Sequence, residues 1–242
     1  MPTDSSGAQA PRRLPVPVRL YRQIADALEE RIAAGEIASG DRLPTERELA
    51  AYYSVSRTCV REALLALEIA QLVSIRVGSG VYVLPPARPE RPAAVADKDQ
   101  PSPTELLEAR LMFEPEICAA AAANARPDDI ARISASLSLM REEHRKAAET
   151  ERGDREFHLG ISQACGNSIA QDLLRGVWDA MSAPMWQGLQ KHIRSPILRL
   201  NWIEDHEALL AALEDHDRRK ARAAMRRHVE NVTETLNRAD FL

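Results

Sequence analysis

Residues 49–68, "LAAYYSVSRTCVREALLALE", decide the fold. A short helical segment runs into the Ser54–Val55–Ser56 break, and a second opens with Arg57 and Arg61 before closing on leucines. Two arginines four apart share one helix face. Thr45 precedes the first segment with Glu48 three residues on, the pattern of a capping box. Ser56 is placed to cap the second segment, which runs from Arg57 to about Ala70. Upstream, Leu20, Ile24, Ala27, Leu28 and Ile32 recur at helical spacing and Gly35 closes that helix. Downstream, "LVSIRVGSGVYVL" alternates β-branched residues on both sides of a Gly-Ser-Gly turn, which predicts a two-stranded hairpin.

Three helices and a hairpin in this order describe a winged helix-turn-helix, whose third helix enters the DNA major groove by its N-terminal end. Arg57, Arg61 and Thr58 stand in the first turns of that helix, where side chains reach base edges or phosphates. Arg47, just inside the second helix, is placed to hold a phosphate. Gly78 and Gly80 let the hairpin tip approach a backbone closely. The alternative is that these arginines form ion pairs with Glu46, Glu48 or Glu62. A single winged domain reads a short half-site, so a homodimer on a palindromic double-stranded operator is the usual solution.

The chain has 242 residues, 45% hydrophobic and 28% charged, enough for one large domain or two modest ones. Its net charge of −4 gives no overall nucleic-acid signature, so a DNA face must be local. Cys59, Cys118 and Cys165 lack paired metal spacing and read as reduced thiols of a cytoplasmic protein. No apolar run is long enough to span a bilayer, and the opening residues read as a flexible tail, not a signal peptide.

Residues 85–103 hold six of the fifteen prolines and no apolar periodicity. The expected organisation is a tail (1–17), a DNA-binding unit (18–84), a Pro-rich linker (85–103) and an all-helical bundle (104–242). The bundle shows leucine, isoleucine and alanine at three- and four-residue steps over 104–124, 127–149, 151–164, 168–190, 196–214 and 217–238. Pro115 and Pro184, inside two of these helices, predict kinks.

Asp154 and His158 are four apart and face one point. His206 lies about ten residues before the turn near 215–217 and His228 about twelve after it. In an antiparallel helix pair the two therefore sit at nearly the same level. Bundles build metal sites in this way, and an Asp plus three His suits Zn²⁺, Ni²⁺ or another divalent transition metal. Arg110 falls on the stripe Leu106–Arg110–Phe113–Ile117. A buried arginine wants an anion, which is either Glu114 or the carboxylate of a bound effector. Asn167 reads as a helix cap.

The segment "PTERELAAYYSVSRTCVREALLALEIAQLVSIRVGSGVYV" resembles the DNA-binding domain of the GntR family of bacterial transcription regulators. That resemblance implies operator contacts at Arg47, Arg57, Thr58, Arg61 and Gly78. Two positions depart from the pattern: Cys59 replaces a frequent proline and Gln71 a frequent glycine. The pieces "LLEARLMFEPEICAAAAANA", "DREFHLGISQACGN", "DHEALLAAL" and "AAMRRHV" resemble the FCD ligand-binding domain of the FadR subfamily. This implies metal ligation by Asp154, His158, His206 and His228 and effector contact by Arg110. His216 stands where a glycine commonly ends the penultimate helix.

The resulting expectation is a regulator, most simply a repressor, whose operator affinity is set by a small organic acid bound at the metal. The alternatives are a metalloenzyme domain fused to a DNA-binding module, or a metal that is structural or itself the signal. No general base with a motif context, nucleophile elbow or phosphate loop accompanies the ligands.

Overall fold

The computed structural model describes residues 19–85, 100–148 and 150–238. The expected tail 1–17 and most of the linker 85–103 lie outside the described residues. The N-terminal unit contains α1 (Leu20–Ala33), α2 (Glu46–Tyr53), α3 (Arg57–Ile69), β1 (Val73–Arg76) and β2 (Gly80–Val83). Thr45 and Glu48 close the capping box on α2, and Ser56 Oγ accepts from Cys59 N to start α3. Ser54, left-handed at φ 55°, turns the chain between the two helices. The strands pair antiparallel with Val73 opposite Val83 and Arg76 opposite Gly80. Leu28, Leu43, Leu49, Leu64, Val73 and Val81 fill the core between helices and hairpin.

The second unit contains α4 (Pro103–Asn124), α5 (Pro127–Arg145), α6 (Arg152–Ala164), α7 (Ser168–Ala180), α8 (Pro184–Ile193), α9 (Pro196–Glu214) and α10 (Arg218–Arg238). The long central α4 packs against α10, α6, α7 and α9, so side chains from four helices meet around it. Several of these helices begin at a local signal. Ser102 and Glu105 form a capping box on α4, Asn167 Oδ1 accepts from Ile169 N and Ala170 N, and Ser195 Oγ accepts from Leu198 N.

The structure corrects several expectations. Pro184 does not kink a helix over 168–190; it starts a separate one. The residue before a proline is pushed out of the α region, and Ala183 accordingly sits at φ −73°, ψ 156° while Pro184 takes the first helical position, where its missing N–H costs nothing. Helix α5 stops at Arg145, short of 149, where Ala147 turns left-handed at φ 48°. Pro115 lies inside α4 without ending it, and Phe113 faces outward, so the buried stripe is Leu106, Arg110, Glu114 and Ile117. Gln71 and His216 do take positive φ, 59° and 52°, the conformation that their glycine-like positions demand.

The two units touch through specific bonds. Thr104 N donates to Glu62 Oε1 at 3.0 Å, Tyr21 Oη to the Gln100 carbonyl at 2.9 Å, and Arg19 pairs with Glu105. Helix α8 lies on α3, where an added Cβ at Gly188 would come within 3.0 Å of Leu65, and His192 contacts Glu68. No helix among the described residues is long and apolar enough to cross a membrane.

Candidate functional site

Helix α6 sets Asp154 and His158 one turn apart, α9 supplies His206, and α10 supplies His228. One potential ligand atom from each lies within 4.8 Å of all the others, and the three imidazoles are buried. The His206 and His228 rings stand 4.4 Å apart, as their equal level on two antiparallel helices requires.

An oxygen lies near the Nδ1 of each histidine, and only that of His206 is hydrogen-bonded. His206 Nδ1 lies 2.6 Å from the Trp202 carbonyl, His158 Nδ1 2.7 Å from Glu114 Oε2, and His228 Nδ1 3.5 Å from Asp205 Oδ2. The bond to the Trp202 carbonyl places the His206 proton on Nδ1 and turns its Nε2 lone pair inward. Arg110 Nη2, which can only donate, faces His158 Nε2 at 3.3 Å and agrees with that tautomer. The lone-pair atoms then crowd together: His158 Nε2 lies 3.2 Å from His206 Nε2, and Asp154 Oδ1 lies 3.0 Å from the latter.

The protonation states suit a cation. Burial pulls the His228 imidazole down to about 3, helped by His206 and opposed by Asp205. Burial likewise lowers His158, against the pull of Glu114. For Asp154, burial acts upward, yet its polar contact with His206 and the positive charge of Arg110 outweigh it and hold the carboxyl well below its usual range. Glu114 is held low in the same way, with Arg110 and His158 overcoming its burial. Neutral imidazoles and an ionised carboxylate are the forms that bind metals.

Arg110 is buried and grips Glu114 (Nε–Oε1 2.7 Å, Nη2–Oε2 3.4 Å) while stacking on Trp178 at 4.7 Å. The internal pair read from the sequence therefore exists, and the guanidinium still borders a cleft. That cleft has a cavity volume of about 50 Å³, room for a few water-sized groups. Asp154 and His228 line it, and Glu151, Gln190, Trp186 and Trp202 are among the other residues of its wall.

In the N-terminal unit, Arg47 is exposed and the Arg57 side chain is 53% exposed, 3.7 Å from Glu46 Oε2. Gly78 takes φ 74° at the hairpin tip. Thr58 Oγ1 donates to Asn237 Oδ1 at 3.1 Å. Arg61 is not on an open face: it is 1% exposed, bonded to Glu46 at 3.1 and 2.8 Å and to the Leu236 carbonyl. The ion-pair alternative holds for Arg61, because Glu46 is itself buried and a buried carboxylate needs a cation.

Sequence reasoning passed over Glu114 and Asp205 as supports of histidines, and the cleft residues Glu151, Gln190, Trp186 and Trp202. Asp205 adjoins His206 in "DHEALL", and Glu114 had been weighed only as the partner of Arg110.

A family model described as "Bacterial regulatory proteins, gntR family" matches residues 20–83, and one for the FCD domain matches residues 105–231. The chain is 38% identical over 224 residues to the Uxu operon transcriptional regulator of Escherichia coli (strain K12), covering 90% of this chain and 87% of that one. It is 36% identical over 221 residues to the Exu regulon transcriptional regulator of the same strain, covering 89% and 84%. It is 29% identical over 228 residues to the HTH-type transcriptional repressor NanR of Klebsiella aerogenes, covering 90% and 85%. The solved structure of E. coli McbR/YncC shares the fold, with a TM-score of 0.50 at 24% identity over 91% of this chain and 98% of that one.

Proposed function

The chain belongs to the GntR family of bacterial regulatory proteins and carries an FCD domain, and on that premise we propose that it is a repressor whose operator affinity follows a small carboxylate bound beside a divalent metal. It is a DNA-binding transcriptional regulator, as its relatives are, and not an enzyme. The repressor reading is supported by the relative that is named a repressor.

The observation that carries the metal reading is the convergence of Asp154 with ring nitrogens of His158, His206 and His228. Lone pairs crowded in a buried place repel one another unless a cation sits among them. Nitrogen and carboxylate donors suit Zn²⁺ or Ni²⁺. The bound ion would supply positive charge that anchors an acid's carboxylate. Arg110 adds a fixed charge at the same wall of the cleft, and Trp186 and Trp202 give apolar surface for the rest of the ligand.

DNA reading is assigned to Arg47, Arg57, Thr58 and Gly78, with Arg61 fixing the recognition helix from behind through Glu46. The working unit is a homodimer on a palindromic operator, and the domain limits are 18–84 and 104–242. An effector acts only through its different affinities for DNA-competent and DNA-incompetent forms. Helix α8 presents Trp186, Gln190 and Ile193 to the cleft while Gly188 and His192 touch α3, so the two sites share one element.

The test is thermal unfolding of chelator-stripped protein against protein reloaded with Zn²⁺ or Ni²⁺, each with a panel of small organic acids. Ligands of the folded state raise the midpoint. One acid that stabilises only the metal-loaded form, and that changes operator binding, is the expected result. Metal that fails to raise the midpoint would remove the metal from the proposal.

A further inference from the structure

The N-terminal end of α3 does not stand open in this arrangement, because the last turn of α10 lies over it. Thr58, Arg61, Leu65 and Ile69 follow one another at steps of three, four and four residues, so they form one stripe along α3. All four meet the bundle. Thr58 Oγ1 donates to Asn237 Oδ1 at 3.1 Å, and Arg61 Nη1 donates to the Leu236 carbonyl. Farther along, a Cβ added at Gly188 of α8 would come within 3.0 Å of Leu65 and 3.6 Å of Ile69. Arg57, one residue off the stripe, keeps 53% of its side chain in water.

The end of α10 offers α3 the chemistry of a phosphate. Leu236 falls in the last four residues of α10, the carbonyls of which a helix leaves without an internal partner. The same end carries roughly half a negative charge from the helix dipole. An oxygen acceptor with negative charge is what a DNA backbone presents to arginine and threonine. A hydroxyl has one proton to give, so Thr58 Oγ1 cannot serve Asn237 and a phosphate at once. A helix about 10 Å across also fills the space that a duplex needs beside Thr58. Arg61 holds Glu46 through Nε and Nη2, at 3.1 and 2.8 Å. Its Nη1 bond to Leu236 can therefore be exchanged without stranding that carboxylate.

We propose that the last turn of α10 is a built-in competitor of DNA: it takes the bonds of Thr58 and Arg61 that a phosphate would take, and duplex binding requires the winged unit to part from it. The proposal rests on the reading of α3 as the DNA-reading helix. His228 and Val232 of the cleft wall lie on the same helix, eight and four residues before Leu236. That is about 12 and 6 Å along its axis. One rigid element therefore carries both a wall of the cleft and the competitor.

Anisotropy of a labelled random-sequence duplex at low salt tests this on the full chain, with thermal unfolding to confirm folding. Such binding draws on phosphate contacts and not on base sequence. Asn237→Ala removes the bond to Thr58 at an exposed position and leaves every DNA-reading side chain in place. It is expected to tighten duplex binding about two- to tenfold, the worth of one hydrogen bond. A purely structural role for Asn237, or a contact of its own with DNA, gives no change or a loss instead. Arg57→Ala is the control on the underlying reading and should weaken the same titration. If Arg57→Ala weakens binding while Asn237→Ala leaves it unchanged or weaker, the competitor alone is overturned. If Arg57→Ala has no effect, the DNA-reading role of α3 falls and the competitor with it.

Discussion

At the residue scale, two arginines four apart have different roles. Arg57 is largely exposed, and Arg57→Ala should weaken operator binding in a gel-shift or anisotropy titration while changing stability by no more than about 0.5 kcal/mol. Arg61 neutralises a buried Glu46, so Arg61→Ala should cost roughly 3–5 kcal/mol in urea unfolding, because it strands that carboxylate. Helical periodicity could place both on one face; it could not reveal that the end of α10 covers one of them. That contact joins residues 175 apart, beyond the reach of any local pattern. Glu114 escaped notice for a related reason. Its partner Arg110 lies one turn away and is legible, whereas His158 is on another helix. Glu114→Gln should lower Zn²⁺ affinity by about 10–100-fold in a competition titration, since it removes the carboxylate behind a ligand.

Acid exposes the histidines themselves. The folded His228 value is about 3, against roughly 6.5 in an unfolded chain. Its contribution to stability is full above the unfolded value and is lost as pH falls toward the folded one. His158 and Glu114 are shifted in the same direction. The melting temperature of the chelator-stripped protein should therefore decline as the pH is lowered from about 6.5. A flat profile between pH 7 and 4 would contradict the buried neutral state.

At the scale of elements, capping residues and glycine-like turns made most boundaries readable. Thr45, Ser56, Ser102 and Ser195 each start a helix by accepting from a backbone N–H three residues on. The boundary that was misread is the one where apolar periodicity continues across a proline: Val177, Met181, Met185 and Leu189 keep step through Pro184 while the chain breaks. Burial of both halves in one bundle preserves the period and hides the gap. Gln71 offers a direct test of the turn. Held at φ 59°, it pays for a left-handed backbone that glycine adopts freely, so Gln71→Gly should raise stability by about 1 kcal/mol in urea unfolding.

At the scale of the whole molecule, winged unit and bundle are tied by packing of α8 on α3 and by bonds that reach from each into the other. His206→Ala removes a central member of the cluster. It should abolish the rise in melting temperature that Zn²⁺ gives the wild type while leaving the metal-free protein able to bind its operator. Linkage adds a quantitative demand. Whatever factor an acid imposes on operator affinity, operator DNA must impose on acid affinity, and calorimetry in both orders checks it.

Two of the bonds between the units end on main-chain atoms of the bundle: Thr104 N, which donates to Glu62, and the Leu236 carbonyl, which receives Arg61. Any bundle sequence that keeps the backbone course provides those atoms. Selection on these contacts therefore falls on one side only, the side that carries Glu62 and Arg61. A DNA-reading module that keeps those two side chains can be transplanted among bundles of this shape, and new pairings of operator and inducer can arise by recombination without matched changes at these two contacts.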